Sequence, residues 1–192
     1  MKNDYIILIG GGGHCHSVID VIEQQNRYHI YGIVDKKENI GNKVLGYPVI
    51  GDDEDLPELA KVCPKAIITI GHIRTNEIRV KIFHLLKKLN LELPTIISPL
   101  AYVSKHATIA EGTVVMHHAL VNANAKIGVN TIINSKALIE HDVTVGDHCH
   151  ISTASVLNGG VTVANNTFYG SNATSKQNII INDFIKAGSV VK

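Results

Sequence analysis

A chain of 192 residues with 18 lysines and arginines against 17 aspartates and glutamates carries a formal charge of +1, which provides no electrostatic footprint for a nucleic-acid or membrane partner. Tryptophan is absent and 5% of residues are aromatic, so exposed bases would find little to stack on. The opening "MKNDYIILIG" is too short an apolar run to span a bilayer and lacks a cleavage-site pattern, while Cys15, Cys63 and Cys149 are odd in number and widely spaced; the expectation is a cytoplasmic protein in a reducing compartment.

The first half alternates between two periods. "YIILIG" predicts a strand, "HSVIDVIEQQ" a helix and "IYGIVD" a second strand, and "DDEDLPELAK" opens a helix with acidic residues where the helix dipole favours them. "AIITIG" follows as a third strand, "NEIRVKIFHLLKKL" as an amphipathic helix and "LPTIIS" as a fourth strand. This order predicts a small Rossmann-like parallel sheet in an α/β domain over residues 1–95.

Between the first strand and helix lies "GGGGHCH", whose backbone N–H groups could face a phosphate at the helix N-terminus. As a dinucleotide fingerprint it is incomplete, because Cys15 or His16 falls where the third glycine of G-x-G-x-x-G belongs. Asp35 ends the second strand, where such folds bind a ribose hydroxyl. Four strands are about half of a full dinucleotide site, which disfavours NAD and favours a mononucleotide such as the uridine end of a sugar nucleotide. The alternative is that the glycines serve only tight strand-to-helix packing.

From Ile97 onward a period of six takes over. The positions from Ile97 through Val103 and Ile109 to Ile181 and Ala187 are apolar in fifteen of sixteen cases, Ser175 being the exception, and a second column four residues on, from Ala101 to Val191, is small or β-branched. Hexapeptides of this kind build a parallel β-helix over residues 96–192, with position i stacked on i+18 in roughly five coils rising ~4.8 Å each.

The motifs "LIGGGGHCHSVIDVI", "GIVDKKENIGNKVLGYPVIGDDEDL", "NEIRVKI", "NSKALIEHDVTVGDHCHIS" and "NGGVTV" give the chain, over essentially its whole length, a resemblance to the sugar acetyltransferases of the NeuD and bacillosamine-pathway group. The resemblance implies a left-handed β-helix, against the usual handedness of crossovers. It further implies a homotrimer, acetyl-CoA as co-substrate bound between neighbouring β-helices, and a nucleotide-linked or free sugar near the first domain. It places the nucleotide at Gly12, Gly13, His14, Asp35, Lys36 and Gly71.

By the same resemblance His141 is the base and Asp142 the acidic neighbour that orients it. The chemistry requires such a pair: an amine or hydroxyl attacking a thioester must lose a proton, a neutral imidazole can take it, and a carboxylate fixes the tautomer. Stacking arithmetic puts Gly159 and Gly160 one coil above these two residues, a bare patch that would admit the pantetheine arm, unless the glycines merely turn a corner. His150 matches a position from which a ring N–H would donate to the thioester carbonyl. Asn134 matches one near the acceptor sugar, although an asparagine tolerating a tight corner explains it nearly as well. The Asn134 column continues through Ser152, Gly170 and Gly188, and with it Ser152 and Gly170 join His150, Gly159 and Gly160 as candidate acetyl-CoA contacts.

His148 and His150 could present one face to zinc, but no further ligands stand at a sensible spacing, and no metal is expected. His117 and His118 receive no role. Relatives commonly end in a tail with "G-x-P-A-K" that covers the coenzyme, whereas this chain ends in "KAGSVVK"; "TIGH" leaves the role of His72 open, and "SKQN", from Ser175, reads as an interrupting loop. The leading expectation is N-acetylation of a nucleotide-linked amino-dideoxy sugar of the UDP-4-amino type, used in bacterial surface-glycan biosynthesis. The alternatives are O-acetylation of sialic or another nonulosonic acid, and a non-catalytic sugar-nucleotide-binding trimer.

Overall fold

A computed structural model describes residues 4–182 and 184–192. The chain divides into two compact units: one runs to Gly71 and takes up Glu77–Pro94, and the other combines His72–Asn76 with Thr95–Lys192. Where the sequence suggests one break after residue 95, the short segment His72–Asn76 groups with the repeats.

The first unit holds strands β1 (Tyr5–Ile9), β2 (His29–Val34), β3 (Lys43–Val44), β4 (Tyr47–Gly51) and β5 (Ala66–Ile68), with helices α1 (Gly13–Gln25), α2 (Leu56–Val62) and α3 (Glu77–Lys88). The sheet order is β3-β4-β2-β1-β5. Strands β4, β2, β1 and β5 are parallel and β3 is antiparallel to β4, so the sheet is mixed rather than purely parallel. Ile6, Ile7, Leu8 and Ile9 of β1 are all buried, as befits a central strand covered on both faces.

One sequence expectation needs correction, and one element has no counterpart in the sequence reading. The fourth parallel strand is β4, not "LPTIIS"; within that stretch Ile96–Ile97 pairs with Val114–Val115 as the first rung of the repeats. The β3–β4 hairpin has a weak sequence signal, because Pro48 argues against a strand and the first turn residue is not one that such turns favour. Leu45 and Gly46 both have positive φ, 48° and 92°, the conformation of a two-residue hairpin turn in which asparagine rather than leucine is expected first.

The second unit is a left-handed parallel β-helix of hexapeptide repeats. Its two-residue strands stack into three parallel sheets of six, five and five. Partners lie eighteen residues apart, as in Leu120↔Leu138, Lys126↔Thr144 and Ile132↔His150. The inward columns, including Val121, Ile139 and Leu157 with Ala119, Ala137 and Cys149, form one buried core.

Corners recur every six residues from Gly112 to Asn178, and at each the chain takes a positive φ. Glycine, asparagine and aspartate tolerate that left-handed conformation best. They occupy most of these corners, with His118, Lys136, His148 and Ala154 as the exceptions.

The last coil is short. Tyr169 pairs with Ile185 and Ser175 with Val191, sixteen residues on instead of eighteen. Ile185 and Val191 therefore take up the apolar column in place of Ala187, and Gly188 is a positive-φ corner rather than the residue above Gly170. "SKQN" is no loop: Ser175 sits in a strand and is buried, with its hydroxyl accepting the Asn158 N–H at 2.9 Å. The irregularity falls between Ile181 and Ile185 instead.

Candidate active site

His141 and Asp142 occupy the corner that follows the strand Leu138–Ile139. The His141 Nδ1–H donates to Asp142 Oδ2 at 2.8 Å, so a neutral ring keeps its lone pair on Nε2. That hydrogen bond is the main reason the His141 pKa is raised, and the charges of Asp142 and Glu140 act in the same direction. Asp142 is held below its ordinary value, first by the amide of Asn124, which donates to Oδ1 at 2.7 Å, and then by His141. Glu140 flanks the other side: its Oε2 accepts the Asn122 amide at 2.8 Å and the His141 backbone N–H at 3.3 Å.

Above the imidazole, the two glycines have different causes. A Cβ on Gly159 would lie 2.7 Å from His141 Cε1 and 2.8 Å from Nε2, so only glycine leaves that nitrogen open. Gly160 has φ +72° and continues the corner occupied below by Asn124 and Asp142, which accounts for it without reference to the imidazole.

His150, Asn134, Ser152 and Gly170 lie around the preceding corner of the coil. His150 is buried, and its Nδ1 faces the His72 carbonyl oxygen at 2.7 Å, which can only accept. Asn134 Oδ1 accepts the Ser135 N–H at 2.8 Å, which turns its amide nitrogen toward His150 Nε2 at 3.0 Å. His150 thus donates from Nδ1 and accepts at Nε2. This corrects the expectation that its ring N–H is aimed at a thioester; the group presented at this corner is the Asn134 amide, which His150 orients. Ser152 shares a 2.9 Å hydrogen bond with Ser171. The Cβ position of Gly170 is filled by the backbone of Ile185–Ala187, which makes this glycine a packing requirement of the short last coil.

The third group of candidates lines a cavity of about 880 Å³ in the first unit, at the carboxyl ends of β1, β2 and β5. The sheet order places its switch point between β1 and β5, the position at which open α/β sheets bind ligands. Gly12, Gly13, His14, Asp35, Lys36 and Gly71 all line it. Cβ positions on Gly12 and Gly13 would meet nothing within 4 Å, and α1 starts there with no side-chain cap and no acidic residue in its first turn. Its N–H groups are therefore suited to an anion.

Asp35 is already engaged: Oδ2 accepts from Gly11 N–H at 3.1 Å and from Asn39 at 3.2 Å, and Oδ1 from Lys36 N–H at 2.8 Å. It braces the glycine loop as well as facing the cavity. Across from it, Arg79 is fully buried and donates from Nη1 to Ile68 O at 2.9 Å and Ile70 O at 2.8 Å, fixing the chain that leads to Gly71. Burial pushes the Arg79 pKa down to about 9. The Asp53 carboxyl, also on the cavity wall, is shifted upward by desolvation and by Asp52 and Asp35, against the pull of Lys81.

Four groups join the site beyond those the sequence singles out: Asn122, Asn124, Glu140 and the His72 carbonyl. The eighteen-residue arithmetic that finds Gly159 above His141 also finds Asn122 and Asn124 below Glu140 and Asp142, so for these the signal is present in the sequence. His148 belongs to a separate network, with Nδ1 3.0 Å from the Asn130 amide and its carbonyl accepting from Asn76 at 2.9 Å. Among the described residues no group of three or more His, Cys, Asp or Glu is placed to hold a metal ion, and no helix is long and apolar enough to cross a membrane.

The PglD N-terminal domain family matches residues 5–86. A comparison with curated protein sequences finds no match. PerB from Caulobacter crescentus, in complex with CoA and GDP-perosamine, is 34% identical, with 97% of this chain and 88% of that chain covered and a TM-score of 0.90. A mutant of perosamine N-acetyltransferase from Caulobacter crescentus, in complex with the same two ligands, is 33% identical with the same coverage and TM-score. The acetyltransferase domain of PglB from Neisseria gonorrhoeae FA1090, in complex with acetyl coenzyme A, is 28% identical over 99% of this chain and 93% of that one, with a TM-score of 0.85. With a glycine-rich α/β unit, a β-helix of hexapeptide repeats and a likeness to PerB that spans both, the chain belongs to the bacillosamine- and perosamine-pathway family of sugar acetyltransferases.

Proposed function

We propose that the protein transfers the acetyl group of acetyl-CoA to the amino group of a nucleotide-linked amino-dideoxy sugar, of the UDP-4-amino-sugar type, in the assembly of a bacterial surface glycan. The observation that carries this reading is the His141–Asp142 pair, with Nε2 left open beneath Gly159. The ligands of PerB and of the PglB domain, CoA with GDP-perosamine and acetyl coenzyme A, support the same chemistry.

In this mechanism the sugar amine attacks the thioester carbonyl, forming a C–N bond, while His141 Nε2 takes the proton that the amine must shed. Collapse of the tetrahedral intermediate breaks the C–S bond, and CoA leaves with the electron pair and receives a proton to become the free thiol. Asp142 holds the imidazole in the Nδ1–H tautomer and stabilises the imidazolium. The first unit acts as the sugar-nucleotide-binding domain: the α1 N-terminus and Gly12–Gly13 receive the phosphates, and the carboxylates of the cavity wall accept from ribose and base. His14, Asp35, Lys36 and Gly71 complete that wall. The Asn134 amide, set by His150, addresses the acyl or sugar end, with Ser152 and Gly170 beside it in the same column.

Two further features support a homotrimer. Five of the six outward residues of the six-stranded sheet, Tyr102, Leu120, Leu138, Val156 and Val190, form a partly exposed apolar stripe that Thr174 interrupts. Four of the five outward residues of the neighbouring sheet, Thr108, Lys126, Thr144 and Thr162, are polar and exposed, and the fifth, Ile180, is an exposed apolar residue at the end of the column. The base and Asn134 also stand at two different corners of one β-helix, flanking that stripe, so packing of copies through it would bring the two groups into one site.

The test is CoA release from acetyl-CoA by the purified protein with UDP-4-amino-4,6-dideoxy sugars, GDP-perosamine and free sialic acid. Turnover with a nucleotide amino sugar that falls ~10²–10⁴-fold in His141→Ala supports the reading. Turnover with sialic acid alone, or undiminished turnover in His141→Ala, overturns it.

A further inference from the structure

Four residues share the corner of the active histidine in successive coils, Asn124, Asp142, Gly160 and Asn178, with φ of 62°, 63°, 72° and 55°. In the lowest two, stacking brings amide and carboxylate together: Asn124 Nδ2 donates to Asp142 Oδ1 at 2.7 Å, and Asp142 Oδ2 receives the His141 Nδ1–H at 2.8 Å. Each carboxylate oxygen thus has its own donor. We propose that Asn124 is a positioning residue of the reaction, which holds the Asp142 carboxylate in the one rotation that presents an oxygen to His141. This proposal rests on His141 being the base.

The chemistry favours an amide in this place. Asp142 is about half exposed, so nothing in its packing fixes the rotation of its carboxylate, and water would compete for both oxygens. A lysine would hold the carboxylate but would cancel some of the negative charge that favours the imidazolium. Asparagine donates one hydrogen bond and carries no charge, so it fixes orientation while leaving the field intact. The arrangement occurs twice: Asn122 donates to Glu140 at 2.8 Å, and Glu140 accepts the His141 backbone N–H. The histidine stands between two carboxylates, each tethered by an asparagine one coil below.

A bland explanation is that Asn124 is present only because asparagine tolerates positive φ. Asn124→Gly separates the two, since glycine keeps φ +62° without strain and lacks only the amide. Asn172→Gly, at an exposed corner with φ 55°, is the control. Two readouts are required: the pH profile of kcat/KM for acetyl transfer, and the ¹⁵N NMR titration of the His141 ring, which needs no turnover.

Asn124→Gly is expected to lower kcat/KM by about 3- to 10-fold, the loss of one hydrogen bond to a charged group, with KM for the sugar nucleotide unchanged. The acid limb and the NMR midpoint should both move to lower pH by ~0.3–1 unit, with the Nδ1–H tautomer less populated. Asn172→Gly should leave both readouts as in the wild type. An Asn124→Gly protein whose His141 titrates as wild type overturns the proposal, whatever its activity. Absence of turnover in the wild type would instead count against His141 as an acetyl-transfer base, and the NMR titration would still decide whether Asn124 controls the ring.

Discussion

Gly159 leaves room for the His141 imidazole in its observed place: a methyl group at residue 159 would stand 2.7 Å from Cε1 and 2.8 Å from Nε2. Gly159→Ala should therefore push the ring off the reacting centre while leaving the coil intact. The expected result is a kcat lower by roughly 10²-fold, the scale of an ångström-sized misplacement, with the thermal midpoint and the sugar-nucleotide affinity close to wild type. Steady-state kinetics alongside a melting curve check this.

The pH profile should carry the mark of Asp142. Its hydrogen bond and charge raise the His141 pKa, and a base works only when unprotonated, so the acid limb of kcat/KM should lie above the ordinary histidine value of about 6.5. Asp142→Asn removes the charge, which lowers the pKa, and the limb should shift to lower pH. The plateau should fall as well, by less than the ~10²–10⁴-fold cost of losing the base altogether. A limb that shifts upward would contradict the sign.

The proposed nucleotide cavity has its own pressure point at Gly11. A Cβ there would lie 2.8 Å from Asp35 Oδ2 and 3.3 Å from Val44 Cγ2, against the carboxylate that braces the glycine loop. Gly11→Ala should weaken binding of a nucleoside diphosphate by roughly 10- to 100-fold, the range that overpacking of a tight site produces. Calorimetric titration measures the loss, and the His141 titration should be unaffected.

Stability can be improved at another corner of the β-helix. Ala154 has φ 54°, a conformation that strains any residue with a Cβ. Ala154→Gly should raise unfolding stability by about 0.5–1 kcal/mol after allowing for glycine's greater freedom in the unfolded chain, read as a shift in the denaturant midpoint at constant slope.

The repeat unit is legible because its physics is periodic: each inward position meets the same neighbour eighteen residues away, so aliphatic and small columns recur in the sequence as they do in the core. The same arithmetic locates the open space over His141. What it cannot give is a departure from the period, and the sixteen-residue last coil moves Ala187 and Gly188 out of their expected places. In the first unit, local signals mislead where tertiary pairing overrides them. "LPTIIS" reads as a strand and is one, but its partner is Val114–Val115 and not the α/β sheet. Pro48 and the left-handed Leu45 conceal β4, whose place beside β2 is set by pairing at Ile33↔Val49 and Val34↔Gly51. The tautomer of His150 is beyond reach for a different reason: it depends on the carbonyl of His72, seventy-eight residues away, and no pattern in the sequence links the two.

A corner assembled from residues eighteen apart has something like a reading frame. Asn124 meets Asp142, and Gly159 clears His141, only because no residue is gained or lost between them. A single insertion between residues 124 and 159 would separate at least one of these pairs while every individual side chain remained present. The two-residue shortfall near the end of the chain lies beyond all four, between Ile181 and Ile185, where a frameshift leaves the corner's frame undisturbed. Length variation in such a protein is therefore harmless or ruinous according to the side of the corner on which it falls.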